Sequence, residues 1–172
     1  MSIVLSLGIL GGLIISVIYF LLQEQQSTFT ISVEITKPQT QVFEYFKEFD
    51  FIHHHPYLKR VEFHQLIDDN IRDFRYNREV FYLFGVFKII FPPGIIRFTK
   101  ISDTEVNFLT KPRVFDIFDF VFLSKVKVIE IGSGTKVEET VNITGPRFLC
   151  YVGKQLAEKA HEEMMRKVLE IV

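Results

Sequence analysis

Few residues in this chain have the types needed for acid–base, nucleophilic or metal chemistry. His53-His54-His55 form a consecutive run, with His64 and His161 elsewhere. Imidazoles bind zinc, but a zinc site needs three or four ligands converging on one point. Neighbours in a turn point in different directions, so the run reads as a polar turn in which His55 bonds locally, and no metal site is assigned. His161 stands near Ala157, Ala160 and Met164 on a helical stretch. A general acid or base needs a pocket and an orienting partner. No partner is legible beside His161, which reads as a polar residue on a helix border. Glu130, Glu138 and Glu139 read as solvated strand residues. Cys150 is the single cysteine; near a helix start its thiol can be activated, but a buried inert thiol is the commoner case. Gly132-Ser133-Gly134 is too short for a phosphate-binding loop and reads as a hairpin turn. No catalytic residue and no cofactor is assigned.

The elements that would position these groups are written in the apolar pattern. Phe29, Ile31, Val33 and Ile35 alternate with polar residues, as in a half-buried strand. Lys37-Pro38 suits a helix start; Val42, Phe43, Phe46 and Phe49 follow on one helical face. A short helix or turn is expected around Phe51–Leu58, then a strand from Val61, the turn Asp68-Asp69-Asn70, and a strand over Ile71–Val80. Phe81–Phe91 is largely apolar and stops at Pro92-Pro93-Gly94. Ile95–Ile101 and Glu105–Thr110 read as strands. Phe115–Phe122 fits no clean pattern. Lys125–Ile131 and Thr135–Thr144 form a hairpin. Leu149, Val152, Leu156, Ala160, Met164, Val168 and Ile171 recur at three- and four-residue steps, which predicts a long amphipathic helix. The predicted class is α+β, one curved antiparallel β-sheet wrapped around a long C-terminal helix, with an apolar pocket between the layers.

Ahead of this domain, Ile3–Leu22 carries no charged side chain. Twenty residues at about 1.5 Å rise span roughly the 30 Å of a hydrocarbon core. No Lys or Arg precedes the run, and Tyr19–Gln23 offers no small-residue pair for cleavage, so a retained transmembrane helix is expected rather than a signal peptide. Gly8, Gly12 and Ser16 put small side chains on one face, where a second copy can approach to form a homodimer. Residues 1–26 are expected to be anchor and short polar spacer, and 27–172 the domain. A lone cysteine fits a reducing setting, so the domain is expected on the cytosolic side of an endoplasmic-reticulum or other internal membrane.

The net charge of −1 offers no electrostatic case for nucleic acid. With 19 Phe, 6 Tyr and no Trp, the interior is either a Phe-rich core or an aromatic-lined cavity.

Two stretches carry a family resemblance. Phe29–Ile35, Lys37-Pro38 and Val42-Phe43-Glu44-Tyr45-Phe46 are similar to the opening strand and helix of the START/polyketide-cyclase (birch-pollen-allergen-like, helix-grip) superfamily. His55-Pro56-Tyr57-Leu58-Lys59-Arg60-Val61 resembles that family's entry into its second strand, and Lys136–Thr140 its element before the last helix. The resemblance implies a helix-grip fold with a cavity for a lipid, sterol or isoprenoid-like molecule. The expected lining is Phe46, Tyr57, Phe74, Tyr76, Phe87, Phe98 and Phe108 from the sheet side. Leu149, Val152, Leu156, Ala160 and Met164 complete it from the last helix. Membrane-tethered binding or transfer of a hydrophobic ligand is the leading expectation. A cyclase-type enzyme, or an interaction module whose interior is filled by its own Phe rings, are the alternatives. Cavity volume separates them, since small-molecule pockets run to roughly 300–1,000 Å³.

Overall fold

A computed structural model describes residues 2–47, 50–56, 58–76, 78–83, 87–91, 93–114 and 118–171. Of these, the side chains of 2–11, 50, 51, 59, 78–83, 87–91, 114 and 171 are not described. In chain order the elements are α1 (Ser2–Leu22), β1 (Glu24–Ile35), α2 (Gln39–Lys47), a 3-10 turn (Asp50–His54), β2 (Leu58–Lys59), β3 (Glu62–Asp68) and β4 (Ile71–Tyr76). Then come β5 (Arg78–Leu83), β6 (Phe87–Phe91), β7 (Gly94–Lys100), β8 (Glu105–Thr110), β9 (Arg113–Val114), β10 (Phe118–Asp119), β11 (Val121–Ile131), β12 (Gly134–Pro146) and α3 (Arg147–Ile171).

Seven strands form one curved antiparallel sheet in the order β1-β12-β11-β8-β7-β4-β3. Its inward row on β12 is Thr135, Val137, Glu139, Val141 and Ile143; on β11 it is Ser124, Val126 and Val128. This is the period-two alternation read from the sequence, and α3 covers the buried face. Val42, Phe43 and Phe46 of α2 close one end together with Val126, Val128, Met164 and Val168. A second cluster, Phe29, Phe120, Val141, Ile143, Cys150 and Ala157, fills the end nearer Glu24 and Pro146. There the ring of Phe120 fits between Gly145 and Gly153, where an added Cβ would collide with it.

The outer face carries a lateral polar row. Arg97 of β7 donates from Nε and Nη2 to both carboxylate oxygens of Asp73 on β4, at 2.9 and 3.0 Å, and Gln65 of β3 adds a third bond at 3.1 Å. The Arg97 hydrogen bonds hold the Asp73 carboxyl below its ordinary range.

Three differences from the sequence reading are structural findings. Gln23–Ser27 is not a spacer: from Glu24 it is strand, pairing with β12 from Glu24↔Pro146 onward. Of the Phe115–Phe122 stretch, residues 115–117 lie outside the described residues, Phe118-Asp119 pairs with Arg113-Val114, and Val121-Phe122 opens β11. On α3 the buried row runs through Cys150, Ala157, Ala160, Met164, Met165 and Val168, so Leu149, Val152 and Leu156 sit half-buried on its flank. At position 153 the bare glycine backbone lies against the Phe120 ring, where a Cβ would collide with it.

Every residue of α1 from Gly12 to Leu22 is exposed. Among the described residues no helix is long and apolar enough to cross a membrane; of α1 itself, side chains are described only from Gly12 onward.

Candidate functional site

Between α3 and the sheet lies a partly enclosed cavity of about 70 Å³. Its walls are mostly apolar: Ile52, Leu58, Ile96, Phe108, Phe122, Val141 and Ala157. His55, Thr110, Ser124 and His161 give it a polar side. A larger recess of about 470 Å³ lies at the opposite end, around Lys37, Gln39 and Ser133, but it is open to solvent between loops.

Glu139 organises the polar side. Its residue is 1% exposed, set between Val137 and Val141 along β12 and directly across from Ile31 and Val126 on the adjoining strands. An isolated buried carboxylate is costly, so it needs donors. The Ser124 hydroxyl, two residues from the Glu139 cross-strand partner on β11, donates to Oε1. His161 Nδ1 lies 2.9 Å from the same oxygen, within hydrogen-bond distance. Glu139 Oε2 and Thr110 Oγ1 are buried without a hydrogen-bond partner among the described residues.

His55 completes the cluster. It is buried, its ring stands edge-on to His161 with centroids 5.3 Å apart, and its Nδ1 accepts the Leu58 N–H at 3.3 Å. The proton of a neutral His55 therefore sits on Nε2. His53 is exposed, His54 half-buried and His64 exposed on β3, so only His55 of the consecutive run turns inward. Among the described residues no group of three or more His, Cys, Asp or Glu is placed to hold a metal ion.

Two residues are thus corrected. Glu139 is not solvated, and His161 is not a lone border residue, because the two pair across the sheet–helix gap. The pattern held a signal for Glu139: it falls in the inward row Thr135-x-Val137-x-Glu139-x-Val141. Ser124 and Thr110 had none, since hydroxyl residues are ordinary on either face of a strand.

Of the expected lining, Phe108 borders the cavity. Phe46, Tyr76, Phe98 and Met164 are buried in the adjoining core, with Phe74 packed partly buried against it. Ala160 is buried on α3, and Leu149 and Leu156 pack on the second cluster, with Val152 half-buried beside them. Tyr57 and the Phe87 side chain lie outside the described residues. Cys150 is a buried thiol whose pKa burial raises, with Sγ donating to the Gln25 carbonyl at 3.1 Å; this is the inert case.

Solved structures share this architecture. Truncated norcoclaurine synthase from Thalictrum flavum superposes with a TM-score of 0.62 at 8% identity, covering 87% of this chain and 94% of that one. The Zhui aromatase/cyclase from Streptomyces sp. R1128 gives 0.60 at 8% identity, over 86% and 93%. Ara h 8.0201 gives 0.56 at 13% identity, over 85% and 99%. No family model matches the sequence, and no curated protein matches it. The chain shares the fold of these structures, a curved antiparallel sheet wrapped on a long C-terminal helix, the helix-grip fold.

Proposed function

We propose that this chain is a membrane-anchored binder of a hydrophobic small molecule, held between α3 and the sheet. The observation that carries this reading is the polar cluster on one side of a cavity with otherwise apolar walls; the volume itself lies below the small-molecule range given above, the size that suits an interior filled by its own side chains. The fold neighbours give it a context: two of those named above are a synthase and an aromatase/cyclase. At about 70 Å³ the cavity is smaller than the ~150 Å³ that admits benzene. A guest of lipid, sterol or isoprenoid size therefore needs the wall to open. The 3-10 turn and His55 after it are the element to move, because they supply Ile52 and His55 to the lining from outside regular strands, whereas the other walls are strands and α3. Apolar Ile3–Leu22, exposed wherever its side chains are described, supports anchoring in a bilayer.

Extraction and mass spectrometry of the full chain, purified in detergent and in lipid nanodiscs, test the proposal. A co-purifying apolar molecule displaced by a filled-cavity variant is the expected result. No co-purifying molecule, and no saturable binding across a panel of sterols, isoprenoids and fatty acids, would refute it and favour the interaction module whose interior is filled by its own side chains.

A second reading has its own observation. A carboxylate-oriented imidazole beside a cavity is the arrangement of a general base, so Glu139 and His161 favour a cyclase-type enzyme. Its mark is turnover of a bound ligand that His161→Gln abolishes while ligand binding persists.

A further inference from the structure

We propose that the first turn of α3 is a membrane-contacting surface, seated in the headgroup layer and fixing the domain in one orientation on the bilayer. This rests on the anchoring of α1 proposed above and adds how the domain sits.

The junction is a mount rather than a tether. Leu22 ends α1 and Glu24 opens β1, with Gln23 alone between them. Gln23 still donates its N–H to the Tyr19 carbonyl at 3.1 Å, and its own carbonyl accepts the Arg147 N–H at 2.8 Å. Arg147, the first residue of α3, bonds Gln25 Oε1 through Nε at 2.9 Å, and its guanidinium lies 3.8 Å from the centroid of the Phe20 ring. Cys150, almost one turn on, donates to the Gln25 carbonyl. Helix, strand and helix are therefore locked at one point, so α1 cannot swing independently of the domain.

The bilayer is the occupant this point fits. Phe20 lies near the end of the twenty-residue apolar run. With that run spanning the hydrocarbon, Phe20 stands roughly 11 Å from the midplane, a few ångströms inside the edge of the lipid core. Aromatic rings with a polar tip, and long cationic side chains whose stems lie along apolar surface, are the residues that settle at this depth. Here they are Tyr19, 69% exposed, Arg147, and Tyr151, 68% exposed. Tyr151 is four residues after Arg147, hence on the same face, about 6 Å further along. Past it that face turns polar with Gln155 and Glu158, so the contact stops after one turn.

The same geometry puts the cavity in the bilayer-facing half of the domain. Thr110, Phe122 and Ile96 of its wall lie toward the strand ends that meet Glu24 and Pro146, and Phe120 closes that end.

The chain has no tryptophan, so a single one is a clean depth reporter. Full-length Tyr151→Trp and, separately, Ile129→Trp at the far end of β11 would be reconstituted into phosphatidylcholine vesicles with brominated acyl chains. Flotation would be scored alongside fluorescence. The expected result is blue-shifted, quenched emission from Tyr151→Trp, with unquenched emission from Ile129→Trp. A Gly-Ser insertion after Gln23 should remove the quenching while the chain still floats. Floating protein with neither position quenched, with both quenched alike, or with quenching that survives the insertion, overturns the fixed seat and leaves the anchor standing. Protein that does not float overturns the anchor and the seat together.

Discussion

His161 on α3 and Glu139 on β12 are joined across the layer interface, with Nδ1 2.9 Å from Oε1 and the carboxyl-bearing residue 1% exposed. The pair is a polar tie between helix and sheet in the part of the interior that borders the cavity. Ser124 binds the same oxygen, so the carboxylate is held from two elements, and the imidazole is aimed by a group that cannot itself reach solvent.

Glu139→Gln should lower stability by about 1–3 kcal/mol, because a hydrogen bond to a charged group is lost and a buried amide N–H must find an acceptor. Chemical denaturation of wild type, Glu139→Gln, His161→Phe and the double variant forms a cycle. The expected outcome is a coupling of roughly 1 kcal/mol or more between the two positions. Additive effects would mean that the contact contributes nothing specific.

Ala157→Leu should fill the cavity. Ala157 is a wall residue, and a leucine there adds volume comparable to the space available. Stability should change by less than about 2 kcal/mol, with overpacking partly offset by new contacts, while binding of any hydrophobic ligand is lost. Titration with the ligand recovered by extraction decides it; unchanged affinity places the guest elsewhere.

Phe120→Ala should cost about 3–5 kcal/mol, the usual penalty for removing a buried aromatic ring. It also opens the space between Gly145 and Gly153 toward the anchored end of the domain. Ligand uptake from vesicles, measured by stopped-flow fluorescence, should therefore become faster even as the melting temperature falls. Slower or unchanged uptake would argue that entry is by the Ile52–Leu58 side.

Acid should weaken the domain partly through Asp73. Arg97 lowers its pKa in the folded state, so the pair stabilises at pH values above the unfolded carboxyl's pKa of about 3.9. That stability is lost as pH falls through the folded value. Asp73→Asn removes this dependence. Denaturation midpoints from neutral pH down to pH ~3 should fall less steeply for the variant than for wild type.

Much of the frame was legible in the residues themselves. Alternation across 29–35, 125–131 and 135–144, the Lys37-Pro38 helix start and the long apolar stripe after Pro146 are local signals. Each depends only on which neighbours share a face. The family resemblance added the order in which sheet and helix meet. Ile3–Leu22 was equally plain as a charge-free run, because length and composition are properties of the segment alone.

What the sequence alone determined, then, is which residues face inward on each element; which inward residues meet was decided by tertiary structure. Glu139 and His161 are separated by a turnless step from strand to helix and 22 positions of chain, a spacing with no pattern to read. The same holds for Phe120 against Gly145 and Gly153, and for Arg147 against Phe20. Such contacts depend on how α3 lies over the sheet, which is set by the packing of side chains from several elements at once. Cavity size is the extreme case. A void is the difference between the volume enclosed and the volume of the side chains that fill it, and no single element contains it.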